Sequence, residues 1–151
     1  EAAICNFRGG AFISPTAAAA LIFTNIGQGF LIAPNLNLPI LIEGALSVSG
    51  LTVQYGSKAA LQNVAFTTPT AGASAITANF NGAIELSSGI TGSSGGYGVL
   101  SFYGSVVTFT TAWVLTGTLG TGTVDNHSYI DMTLLTTSGD IAVGQGRIVR
   151  V

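Results

Sequence analysis

Residues 107–116 alternate strictly. Val107, Phe109, Thr111, Trp113 and Leu115 fall on one side of an extended chain, and Thr108, Thr110, Ala112, Val114 and Thr116 on the other. A two-residue period rich in β-branched and aromatic side chains is the pattern of a half-buried strand. Just upstream the phase is reversed, with Leu100, Phe102 and Val106 on even positions. The slip at Gly104-Ser105 predicts a bulge or a bend. Residues 75–86 alternate more cleanly still. Ile76, Ala78, Phe80, Ile84 and Leu86 share one face, and Thr77, Asn79, Asn81 and Glu85 the other. Ile130, Met132 and Leu134 repeat the pattern near the C-terminus. The core expected from these stretches contains Phe80, Ile84, Phe109, Trp113, Ile130 and Met132.

Glycine and proline divide the rest of the chain. Gly9-Gly10 interrupts an apolar N-terminal run. Pro34 and Pro39 bracket a segment that cannot lie in a central strand. Turns fall at 56–58, 67–74, 89–98, 117–123 and 136–140. Residues 15–24 are ambiguous, since Ser14-Pro15 and the following alanines also suit a short helix. The rest reads as about eight or nine short strands at sandwich-like spacing. Neither a βαβ rhythm nor a repeat of fixed period is evident. The expected fold is therefore all-β: an antiparallel β-sandwich of jelly-roll or Greek-key type over residues 15–151, preceded by an N-terminal extension over 1–14.

Composition sharpens this picture. Only 7% of the 151 residues are charged, the net charge is −2, and 48% are hydrophobic. Soluble domains usually carry about 25% charged residues. Mean hydropathy is +0.61. Disorder does not account for these values, because disordered chains are poor in apolar residues. A surface of Ser, Thr, Asn and Gly is expected, either buried in an assembly or facing the outside of a cell. Four cations cannot track a phosphate backbone, so no nucleic acid partner is expected. The most apolar stretch, 17–33, is broken by Thr24, Asn25 and Gln28, so no membrane span is expected. The first residue is Glu1 rather than Met, which suits a processed, secreted protein. Cys5 is the single cysteine, so an internal disulfide is excluded.

Candidate chemistry is sparse. Gly92-Ser93-Ser94-Gly95-Gly96 fits G-x-S-x-G, and Asp125 and His127 follow it. That motif needs a strand before the serine and a helix after it, whereas here a strand pattern follows. Asp125, His127 and Asp131 are the only grouping with metal-ligand character, and an ordinary polar turn explains them. Asn126-His127-Ser128 is an N-x-[ST] sequon, which makes Asn126 the candidate glycosylation site. Trp113, Tyr55, Tyr97, Tyr103 and Tyr129 could line a sugar-binding face or simply pack. Glu43 and Glu85 show no sign of pairing. No enzyme activity, cofactor or metal is expected.

The function expected from the sequence is structural. The protein would be the subunit of an extracellular filament or surface coat, a homopolymer formed by strand addition. Residues 1–8 would donate a strand to a neighbour through Ile4, Cys5 and Phe7, with Gly9-Gly10 as the joint. The alternatives are a secreted carbohydrate-binding or adhesive module, with surface glycans as partners, and a viral coat or decoration protein.

Overall fold

Each described strand lasts only three to five residues before the backbone turns a corner, and as far as the strand Tyr129–Asp131 each pairs with the one three places on in sequence. The structure, a computed structural model, describes residues 3–14, 18–25, 27–35, 37–44, 49–110, 114–117, 120–124, 127–131, 141–143 and 147–149. The first coil consists of β1 (Ile4–Phe7), β2 (Ala11–Ser14) and β3 (Leu21–Phe23). The second is β4 (Gln28–Ile32), β5 (Ile40–Gly44) and β6 (Ser49–Val53), and the third β7 (Lys58–Gln62), β8 (Val64–Thr68) and β9 (Ser74–Ala78). The fourth is β10 (Ala83–Leu86), β11 (Thr91–Ser94) and β12 (Tyr97–Ser101), and the fifth β13 (Val106–Phe109), β14 (Val114–Gly117) and β15 (Gly120–Val124). Then come β16 (Tyr129–Asp131), β17 (Ile141–Val143) and β18 (Arg147–Val149).

The coils stack into three parallel sheets. Sheet A has the order β1-β4-β7-β10-β13-β16-β18, sheet B β2-β5-β8-β11-β14, and sheet C β3-β6-β9-β12-β15-β17. The protein is a β-solenoid. The all-β expectation holds, but the antiparallel sandwich, with its jelly-roll or Greek-key variants, does not: every ladder pairs parallel strands from successive coils. At about 4.8 Å per strand, sheet A is about 29 Å long. Residues 1–14, read from sequence as an extension, supply β1 and β2 of the first coil.

Inward side chains form columns along the stack. Phe7, Leu31, Leu61, Leu86 and Phe109 are one such column. Phe12, Ile42 and Phe66 form another on sheet B, and Leu21, Leu51, Ile76 and Val99 a third on sheet C. From the second coil onward these columns are buried. Ile84, Phe109 and Ile130 lie in the core as expected. Trp113 and Met132 lie outside the described residues.

Phe80 is not a core residue: it is 38% exposed. The clean alternation of 75–86 spans two strands in different sheets, β9 and β10, joined by the turn Asn79-Phe80-Asn81-Gly82. That turn recurs at the corner from sheet C to sheet A. Gln54-Tyr55-Gly56-Ser57 and Phe102-Tyr103-Gly104-Ser105 close with the same backbone bond from the fourth residue to the first. The central residues have φ of 54° and 72° at Tyr55-Gly56, 45° and 61° at Phe80-Asn81, and 52° and 75° at Tyr103-Gly104. Two successive left-handed residues make a type I′ turn, which explains Gly or Asn at the second position. The predicted bend at Gly104-Ser105 is this corner.

Serine hydroxyls tie the corners together. Gly27 donates its N–H to Ser57 Oγ (3.1 Å), Gly82 to Ser105 Oγ (3.2 Å) and Ser105 to Ser128 Oγ (3.2 Å). All three serines are buried. At the next corner Asn63, with φ of 53°, bonds Ala33 O through Nδ2 at 2.7 Å.

Candidate functional site

Among the described residues the first coil has a neighbour on one side only. β1, β2 and β3 are the terminal strands of their sheets, so three edges at one end have no partner among the described residues. Each edge presents unpaired backbone N–H and C=O groups, a template for another strand.

The core is open at the same end. Cys5, Phe7, Phe12 and Leu21 point inward but are only partly buried, whereas Leu31, Ile42 and Leu51, one coil on, are fully buried. Phe7 and Phe12 meet edge to face across the corner, with centroids 4.9 Å apart and planes at 86°. Gly9 and Gly10 form that corner. Gly10 has φ of 101°, a backbone that favours glycine, and a Cβ at either position would meet nothing within 4 Å. The corner is held by Leu41 N–H on Gly10 O (3.1 Å).

The outside of this end is also apolar. Ile4, Ile13 and Ile22 project from sheets A, B and C and are 64%, 64% and 45% exposed. Their neighbours in the next coil are Gln28, Glu43 and Thr52. Ile32, Leu38 and Leu41 extend the collar into the second coil. Farther along, the exposed large apolar residues among those described are the turn residues Tyr55, Phe80 and Tyr103, and Val106.

The structure therefore places Ile4, Cys5, Phe7, Gly9 and Gly10 together, but not on a free arm. Residues 4–7 pair in parallel with Gln28–Leu31 of their own chain. Sequence reasoning missed Phe12, Ile13, Leu21 and Ile22, which complete the end face. Their signal is a run in which both faces are apolar, in contrast to the alternation downstream.

The other candidates separate. Ser94 ends a strand, is buried, and donates its hydroxyl to Tyr97 O at 2.7 Å; β12 follows it rather than a helix. His127 is exposed in the next corner turn, with φ of 62°. Asp125 and Asn126 lie outside the described residues, so the sequon is placed only through Ser128, whose buried hydroxyl accepts the Ser105 N–H. Glu43 and Glu85 sit on different sheets. Tyr55 and Tyr103 are brought together through Phe80, which stacks between them at 5.0 and 4.8 Å with planes within 6°. Among the described residues no three His, Cys, Asp or Glu side chains group as a metal site. No described helix is long and apolar enough to cross a membrane. Comparison with protein-family models, curated proteins and solved structures finds no match.

Proposed function

We propose that the protein is a structural rod that assembles end to end through the first coil of its solenoid. The observation that carries this reading is the coincidence, at one end, of three unpaired strand edges, a half-open core and an aliphatic collar. Solenoids ordinarily cover their terminal coils with polar caps, because each repeat buries its apolar face only against a neighbour. Here the first coil instead exposes Ile4, Ile13 and Ile22 and leaves its inward side chains only partly covered.

The occupant is a second copy of the chain. The coils of this sequence already stack on one another in matched parallel register over three sheets, so a coil of a second molecule has the strand spacing that the open end requires. Strand addition supplies ladder bonds, and Cys5, Phe7, Phe12 and Leu21 supply apolar contact. A contact that places unlike ends together along the solenoid axis repeats without closing into a ring and yields a linear polymer. The sparse charge suits this role and an extracellular or cell-surface setting, where a neutral hydroxyl surface faces solvent.

Sedimentation velocity over a concentration series tests the reading. The native chain is expected to associate reversibly, and Ile13→Lys with Ile22→Lys to shift it to monomer. Both side chains are exposed, so the double variant should keep its fold. A native chain that stays monomeric throughout, or a double variant that associates equally well, overturns the proposal.

A further inference from the structure

Sheet A carries a depression of about 300 Å³ on its outer face, running from the second coil to the fifth. Its centre follows from the register. Lys58 lies opposite Ala83, and Ala60 opposite Glu85. All four point outward, since Ala59 and Ile84 between them are buried. Two alanines thus occupy one diagonal and two long, oppositely charged side chains the other. Small residues form the floor, and Lys58 and Glu85 rise at its opposite corners. Phe30 closes one end of the depression and Thr108 the other. Three coil steps separate them, about 14 Å at strand spacing.

We infer that this depression is a binding site for a neutral carbohydrate, of the size of one or two sugar units. Its volume lies at the lower end of small-molecule sites, which combine an apolar lining with a few placed polar groups. The Lys58 ammonium offers donors only and the Glu85 carboxylate acceptors only. A sugar hydroxyl is both donor and acceptor, so it satisfies either. The two charges cancel, so the site holds no net attraction for an anion or a cation. The partly exposed Phe30 ring gives the C–H face of a sugar an apolar wall. None of its residues belongs to the first coil, although its near end, Gln28–Phe30, pairs with Ile4–Asn6.

The test uses the Ile13→Lys, Ile22→Lys chain on a printed array of neutral and charged oligosaccharides, followed by titration of the strongest neutral hit. Saturable binding is expected, with backbone amide shifts confined to the neighbourhood of Lys58, Ala60, Ala83 and Glu85. Ala83→Trp fills the floor and should weaken binding at least tenfold at unchanged Tm. Lys58→Ala and Glu85→Ala should each weaken it several-fold, and they report on the site even if the tryptophan perturbs folding. An array without neutral hits overturns the inference, as do hits restricted to charged glycans. So does binding that all three variants retain.

Discussion

The Phe23 ring occupies the space that a side chain at Gly29 would need: a Cβ there would lie 2.1 Å from the ring. Phe23 ends a strand of sheet C and Gly29 lies in the next strand of sheet A, one coil on, so a large residue in one wall is matched by an absent one in the other. Phe23 is itself buried and cannot swing clear. Gly29→Ala should destabilise the protein by about 1–3 kcal/mol through overpacking. Urea denaturation measures this, and a neutral result would mean that the ring has room to move.

Phe80 is expected to behave as a surface stacking residue. Its two ring contacts predict a loss of about 1–3 kcal/mol for Phe80→Ala. The fully buried Phe66 on sheet B should cost about 3–5 kcal/mol when truncated to alanine. If the two variants unfold at the same denaturant concentration, Phe80 is packed more deeply than its corner position allows.

The buried serine ladder makes a separate prediction. Ser105→Ala removes the hydroxyl that accepts the Gly82 N–H at 3.2 Å, leaving that amide only its 2.9 Å turn bond to Asn79 O. The expected cost is about 1 kcal/mol, with faster hydrogen exchange at Gly82. Exchange at Gly82 that does not change would show that the hydroxyl is dispensable there.

Particular residues show why the sequence disclosed the strands but not their pairing. The alternation of Val107 with Phe109 and of Ile84 with Leu86 is local, and both pairs are buried as read. Phe80 continued the phase of Ile76 and Ala78 only because a type I′ turn of four residues preserves even spacing across a corner. The local turn signal there was Asn81-Gly82, but the aromatic residue before it, with φ of 45°, is an unusual choice for a turn and carried the strand phase across the corner. Pairing between strands three apart is a non-local property, and short strands between turns suit a sandwich equally well. The coil repeat was written in the sequence, at uneven spacing: Tyr55-Gly56-Ser57, Phe80-Asn81-Gly82 and Tyr103-Gly104-Ser105 occupy equivalent turns. The steps along column Ile4, Gln28, Lys58, Ala83 and Val106 are 24, 30, 25 and 23 residues, so a search for a fixed period passes over them. At the end face, Ile4, Cys5 and Phe7 were legible as an apolar segment. Their role as the edge of a stack was not, because it depends on where the later coils lie.

Hydrogen exchange with mass spectrometry, run at several protein concentrations, tests the central claim that the first coil is an open end that takes up another. Part of the backbone N–H set of β1, β2 and β3 faces away from the second coil and should exchange rapidly in dilute protein. As concentration rises, peptides covering residues 3–14 and 18–23 should gain protection together, while those covering the third coil, residues 58–78, stay unchanged. Protection in the first coil that does not depend on concentration, or concentration-dependent protection that appears only elsewhere, would contradict the account.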